Sequence, residues 1–184
     1  MAKELHKKNP RVDYDYTEQK GKGSGILHSW SRSKADIISY MDIDLSTDIR
    51  GFPNLISQIE RGYDISIGSR YHPDSKLKRS FKRTFISLVY HKFFIKLVLV
   101  IRDYTDLQCG FKAVNQRVIK ELLPLVENKN WFFESELLYL AQKKRFKGKE
   151  IPVRWTESEF SRLPLYKAIL EFLKCGFELR FRKI

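Results

Sequence analysis

Two aspartates one residue apart, Asp42 and Asp44 in "YMDIDLSTD", follow the largely apolar run Ile37–Met41. Residues two apart on a strand point to the same face, so both carboxylates would converge there on one cation. A hard cation such as Mg²⁺ takes oxygen ligands, and one or two carboxylates usually share it with a substrate's phosphates. The same stretch also reads as a helix entry. Asp44, Ser46 or Thr47 would then cap the next helix, with Asp42 a solvated strand end.

A second chemical feature is a run of cations. Arg70, Lys76, Lys78, Arg79, Lys82, Arg83, Lys92, Lys96 and Arg102 are set against one acid, Asp74. On a helix Arg79, Arg83, Ser87 and His91 recur every four residues and form one slanted row. Such a row binds a phosphate through bidentate arginine contacts, with Ser87 adding a hydrogen bond, or it is a solvated face. The remaining girth, with Phe85, Ile86, Val89, Phe93, Phe94, Leu97, Val98, Val100 and Ile101, is more apolar than one core-facing stripe requires. Apolar girth with cations along the remainder suits a membrane interface and acidic headgroups.

Two shorter stretches carry isolated reactive groups. "DLQCGFKA" (106–113) holds Asp106, Cys109 and Gly110. Gly110 permits a tight turn or a close approach, Asp106 is either a turn cap or a functional acid, and Cys109 reads as packed rather than reactive. In "WFFESELL" (131–138) Glu134 falls in the first turn of a helix, where the helix dipole favours negative charge whatever its role.

These groups need elements to position them, and strand and helix patterns alternate along the chain, which favours an α/β fold. The spacing predicts helices over 22–34, 53–61, 80–101, 116–123, 132–144 and 165–181, and strands over 37–41, 64–68 and 150–155. Pro53 opens a helix that Gly62 stops, and Asn115 caps one that Pro124 ends. Residues 102–114 read as a turn. The last helix has a charged stripe, Lys167, Glu171, Lys174 and Glu178, opposite Leu165, Ile169, Phe172, Leu173 and Phe177. Before Ile37 only Val12–Tyr16 offers a short strand.

The 184 residues suffice for one domain with a real core. An apolar fraction of 42% and an aromatic fraction of 14% exclude a disordered chain. Thirty-five Lys and Arg against 22 Asp and Glu leave a net charge of +13, which calls for anionic partners: nucleic acid, acidic lipid or phosphorylated substrates. Two cysteines without a CxxC pattern argue against a disulfide framework or a zinc site. There is no signal-peptide pattern, and no run reaches the roughly 18 apolar residues of a membrane span.

Together, "KGKGSG" (20–25), "MDIDLSTD" (41–48), "IGSRY" (67–71), "RSFKRTF" (79–85), "DLQCGFKA" (106–113), "WFFESELL" (131–138) and "IPVRWTE" followed by "SRL" (151–163) resemble the family 2 glycosyltransferases that load a sugar onto a polyprenyl phosphate. Dolichyl-phosphate β-glucosyltransferases are most alike, then dolichyl-phosphate mannose synthases. The resemblance implies one domain over 1–184 with a partial GT-A (Rossmann-like) fold: a mixed, mostly parallel sheet flanked by helices, with amphipathic interfacial helices. It implies that Asp42 and Asp44 hold Mg²⁺ or Mn²⁺ against the diphosphate of a nucleotide sugar, UDP-glucose or GDP-mannose. Lys22, Arg70, Arg79, Arg83, Ser87 and Arg162 would bind donor and acceptor phosphates, with Asp106 and Glu134 at the reaction centre. The implied acceptor is dolichyl phosphate, the implied outcome inversion at the anomeric carbon, and the implied place the cytoplasmic face of a membrane.

One departure goes with the resemblance. Relatives begin with a "PxYNE"-like loop and a strand ending in "DDGS" that grip base and ribose, and neither is present here. The ten or so residues before Val12 cannot supply a βαβ unit of about 30 residues. The expectation is therefore the C-terminal two-thirds to three-quarters of a GT-A domain, truncated, inactive, or completed by a separate N-terminal polypeptide. The rival readings are a basic nucleic-acid-binding module, against which no recognised binding motif appears, and a non-catalytic membrane-peripheral scaffold.

Overall fold

The computed structural model describes residues 2–78, 98–157 and 165–183. Its main sheet has four strands in the order β1 (Ile37–Met41), β4 (Phe111–Asn115), β2 (Ile65–Ser69), β5 (Gly148–Pro152). β4 runs antiparallel to both neighbours, and β2 and β5 are parallel, so β1, β2 and β5 share one direction. A small parallel pair, β3 (Lys76–Lys78) and β6 (Arg154–Thr156), stands apart from it, and Thr47 bridges to Trp155.

Alternation along β4 divides the core in two. Phe111 and Ala113 face the layer of helix α3 (Phe52–Glu60), packing with Leu55, Ile59, Ile151 and Val153. Val114 belongs to the opposite layer, which contains α2 (Lys22–Arg32), α4 (Gln116–Glu121), α5 (Phe133–Lys143) and α6 (Leu165–Phe181). A short α1 (Ala2–Lys8) precedes them. Asn115 caps α4 by accepting from the Val118 amide, as its sequence position predicts.

The structure corrects several expectations. Residues 111–114, read as part of a turn, belong to an inner strand of the sheet, β4. The stretch misreads because its second residue is a fully buried lysine, which a strand interior ordinarily excludes. Val12–Tyr16 forms no strand. The predicted strand 150–155 is split between β5 and β6. Most of the predicted helix 80–101 lies outside the described residues; at its end Val100 and Ile101 are not helical. Gln142 of α5 explains that path, donating to the Val100 carbonyl (3.1 Å) and accepting from the Arg102 amide (2.6 Å). In α6, Phe172 and Leu179 are buried, whereas Leu170, Phe177 and Phe181 face solvent, so Phe177 is not on the inner side.

Buried Asp64 ties three strands together at the end of the sheet away from the carboxyl termini of β1 and β2. It accepts from Asn115 Nδ2 (2.9 Å) and from the Lys147 amide (2.8 Å), with Arg117 Nη1 at 3.4 Å. Hydrogen bonds to a buried carboxylate contribute about 1.5–3 kcal/mol each. Asp64→Ala is expected to lower stability by about 2–4 kcal/mol, read from urea unfolding; a change under about 0.5 kcal/mol would remove this role.

Candidate active site

Because β1, β2 and β5 run together, their carboxyl ends and the start of β4 lie on one edge. In open α/β sheets that edge is where ligands bind. Asp42 follows β1, Arg70 follows β2, Asp106–Gly110 lead into β4, and Trp155 follows β5. Two ion-paired groups are built there.

The first spans four elements. Lys112 of β4 and Glu134 of α5 are both buried, with Lys112 Nζ 2.7 Å from Glu134 Oε2. Lys22 takes the other oxygen, Oε1, at 2.6 Å and also reaches Asp42 Oδ1 at 2.7 Å. The local sequence explains why Lys22 arrives there. Gly21 has φ +124°, and a side chain on it would overlap the Lys129 carbonyl. Gly23 packs on Phe133, and the Ser24 amide donates to Lys129 O at 2.9 Å. Gly21 and Gly23 thus let the start of α2 press against the 129–133 segment. On the other side Gly110 backs onto Asp42: a Cβ there would overlap its carboxylate, and the Asp42 amide donates to Gly110 O (2.9 Å).

The second group is centred on Arg70. Its Nε and Nη2 donate to Asp106 Oδ2 (2.7 Å) and Oδ1 (2.8 Å), and its own amide also donates to Oδ2. This fork-to-fork pairing fixes the guanidinium plane and leaves Nη1 with no hydrogen-bond acceptor among the described residues. Glu150 of β5 supports the arrangement from behind, accepting from the amides of Thr105 (2.7 Å) and Asp106 (3.0 Å) and from the Thr105 hydroxyl (2.6 Å). The guanidinium carbon lies 5.7 Å from the Trp155 ring centroid, within cation–π range.

Electrostatics follow from burial and pairing. Burial pushes the Glu134 carboxyl up, but Lys112 and Lys22 outweigh it and hold Glu134 below its ordinary range. Burial likewise opposes the charge of Lys22, and Glu134 and Asp42 more than restore it. Cys109 is pushed up to about 12, first by burial and then by Asp106, so its thiol stays protonated at neutral pH. It is packed, as its surroundings in sequence imply.

The expected residues are therefore only partly brought together. Lys22, Asp42 and Glu134 form one group, and Arg70 and Asp106 the other. Arg79, Arg83, Ser87 and Arg162 lie outside the described residues. Asp42 and Asp44 do not share a strand face. β1 ends at Met41, and residues 42–45 form a turn in which the Leu45 amide donates to Asp42 O (3.2 Å), so strand periodicity does not relate them. Asp44 is exposed and its Oδ1 accepts from the Ser46 amide (3.0 Å). Neither Asp44, Ser46 nor Thr47 caps the next helical turn; Asp48 does, accepting from the Arg50 amide.

Sequence reasoning misses Lys112, Thr105 and Glu150. The available signal is the pattern "GFKAV", a lysine between residues of strand character, together with an acid in the aromatic "WFFE". Among the described residues no group of three His, Cys, Asp or Glu side chains converges on a cation position. Two carboxylates with hard oxygen donors nevertheless suit Mg²⁺ or Mn²⁺, which complete their shells with water and substrate phosphates.

The mixed sheet flanked by helices is of the GT-A type. A solved glucosyl-3-phosphoglycerate synthase from Mycobacterium tuberculosis shares it, with a TM-score of 0.57 over 95% of this chain and 58% of that one at 15% identity. The family described as Glycosyl transferase family 2 matches residues 1–123, and the chain belongs to that family. Relatives include glycosyltransferase AglD of Haloferax volcanii, 31% identical over 99% of this chain and 30% of that protein. Dolichyl-phosphate beta-glucosyltransferases of Dictyostelium discoideum (31% identical; 90% of this chain, 52% of that protein) and Homo sapiens (30%; 90% and 53%) also match. The chain thus spans about a third to a half of the length of these relatives.

Removing one member of a buried ion pair leaves an uncompensated charge, at a cost of about 3–5 kcal/mol. Glu134→Gln is expected to lose about that much stability at pH 7 in urea unfolding. With its folded pKa below the ordinary 4.5, Glu134 contributes fully above about pH 4.5 and loses that contribution as pH falls through the folded value. The wild type should therefore lose more stability than Glu134→Gln between pH 7 and pH 3. Parallel acid profiles would contradict the assignment.

Proposed function

We propose that the chain is the metal- and acceptor-phosphate-binding part of a glycosyltransferase that moves glucose from UDP-glucose to dolichyl phosphate at the cytoplasmic face of a membrane. The observation that supports it most is that Asp42 and an Arg70 fixed by Asp106 both stand at the carboxyl-end edge of the sheet in a family 2 chain. The substrate class rests on the relatives named dolichyl-phosphate beta-glucosyltransferase.

The charges assign the roles. Arg70, held by Asp106, presents Nη1 to a phosphate oxygen, and the family resemblance gives Arg79, Arg83, Ser87 and Arg162 a phosphate-binding role beside it. A cation such as Mg²⁺ or Mn²⁺, held by Asp42 and Asp44, supplies Lewis-acid stabilisation of the leaving nucleoside diphosphate. A phosphate monoester is already anionic near pH 7, so it needs orientation more than a strong base. That fits the engagement of both Asp106 and Glu134 oxygens by cations: each positions a basic side chain rather than abstracting a proton. Attack from the face opposite the leaving group inverts the anomeric carbon.

Membrane contact finds support in α6. Leu170, Phe177 and Phe181 are exposed on the same helix as a balanced set of exposed charges, Lys174 and Arg180 with Glu171 and Glu178, an apolar and charged mix that suits a membrane interface. No described helix is long and apolar enough to cross a membrane.

The test is transfer of radiolabel from UDP-glucose, with GDP-mannose as the competing donor, to dolichyl phosphate in vesicles. It is run with the chain alone and with a separate nucleotide-binding polypeptide added. Asp42→Asn combined with Asp44→Asn is expected to lower transfer about a hundredfold or more. Unchanged transfer would remove the metal assignment. Steeply salt-dependent RNA binding without any transfer would instead favour the nucleic-acid reading.

A further inference from the structure

The small pair β3 and β6 has two unlike faces, because side chains alternate along each strand. Trp155 is on the inner face, its ring centroid 5.7 Å from the guanidinium carbon of Arg70, and its register partner Leu77 shares that face. Lys76, Lys78, Arg154 and Thr156 take the outer face, and all four are exposed. In register Lys76 stands beside Arg154, with Lys78 two residues further along β3. Neighbouring strands lie about 4.8 Å apart and residues two apart about 6.6 Å, so the three cations form one compact patch.

Like charges side by side on a sheet repel and cost stability, whereas opposite charges there stabilise it. Among the described residues none of the three has an ion-pair partner. Asp48, whose amide donates to the Arg154 carbonyl, is held instead by Arg50 Nη2 at 2.6 Å, and Asp74 faces His72. The patch is therefore complementary to an external array of anions. Its outer face offers no aromatic ring on which a nucleobase could stack, since Trp155 is turned inward. A flat set of flexible cations matches a layer of phosphate headgroups, which attracts each Lys or Arg within about a Debye length of it.

We propose that the outer face of the β3 and β6 pair docks on the acidic headgroups of a bilayer. This rests on the reading that the chain works at a membrane, and it locates the attraction to acidic lipid, which the balanced charges of α6 do not supply. Because Trp155 on the inner face lies against Arg70, docking brings that arginine within roughly 10 Å of the headgroups, about the thickness of one sheet layer.

The experiment sediments the full chain with vesicles of phosphatidylcholine alone and of phosphatidylcholine with phosphatidylserine. Wild type is expected to bind the vesicles with phosphatidylserine at least about fiftyfold more tightly, each of the three cations contributing about fivefold. Combining Lys76→Gln, Lys78→Gln and Arg154→Gln should reduce that preference to under about fivefold. Combining Lys143→Gln, Lys144→Gln and Lys147→Gln removes the same charge from exposed positions at the opposite end of the sheet, and should change binding less than about threefold. Thermal unfolding identifies folded variants, and Lys76→Gln with Lys78→Gln serves where the triple variant does not fold. Equal losses in the two triple variants mean that net charge alone governs binding, and overturn the proposal. Wild-type binding by the variant of the patch also overturns it, and leaves the membrane reading intact. Failure of wild type to bind either vesicle overturns the membrane reading itself. Tighter binding of single-stranded RNA than of the vesicles with phosphatidylserine, lost in the same variant, overturns the assignment to lipid.

Discussion

The buried pair of Lys112 and Glu134 is the constraint around which the site is arranged. A lone ammonium at the centre of a sheet strand is prohibitively costly, so β4 keeps its lysine only if an acid meets it from the helix layer above. Glu134 does so from the first turn of α5, where the helix dipole also favours a carboxylate. That fixes how α5 lies along the sheet. It also leaves a second Glu134 oxygen to satisfy, and this draws in Lys22 and with it the start of α2. Asp42 is then held by Lys22 from one side and confined by Gly110 on the other. One pairing thus positions a strand, two helices and the turn after β1.

The Arg70 group follows the same logic at the neighbouring strand end. A guanidinium left to itself at that strand end would sample many rotamers and lose entropy on meeting a ligand. Asp106 removes that freedom during folding, and Glu150 removes it from Asp106 by holding the two amides of its loop. Fixed dipoles and charges of this kind need no reorganisation when charge develops beside them. The layering also explains why three polar residues of this edge, Ser69, Thr105 and Glu150, are joined to one another: Ser69 Oγ lies 2.9 Å from Thr105 Oγ1, which in turn donates to Glu150.

What was legible in the sequence was local. The cap at Asn115, the helix opened beside Pro53 and the strands around Ile38 and Ile67 depend on near neighbours, and the structure agrees with them. Family-like stretches likewise identified Lys22, Asp42, Arg70, Asp106 and Glu134 as residues of interest. The pairings were not legible, because they join residues as far apart as Lys22 and Glu134. β4 escaped because its lysine makes sense only with a partner 22 residues on. The turn after β1 escaped for a different reason: strand periodicity relates Asp42 to Asp44 only if the strand runs on to Asp44, and β1 ends at Met41.

Charge is divided between surface and interior in a way that separates attraction from selection. Among the described residues the buried charged groups at the site and beneath it are Asp64, Asp106, Lys112, Glu134 and Glu136, a set with more acids than bases. Among the described residues the core thus contributes nothing to the basic surplus of +13. At the site itself Lys22 and Lys112 offset Asp42 and Glu134, and Arg70 offsets Asp106. The outer surplus gathers anions at long range and is screened by salt over about 8 Å at physiological ionic strength. The inner groups have little net charge with which to attract, and they discriminate by geometry: a fixed guanidinium edge, a confined carboxylate and a lysine with two partners. Salt should accordingly slow the approach of an anionic ligand while leaving the recognition of one already seated largely unchanged.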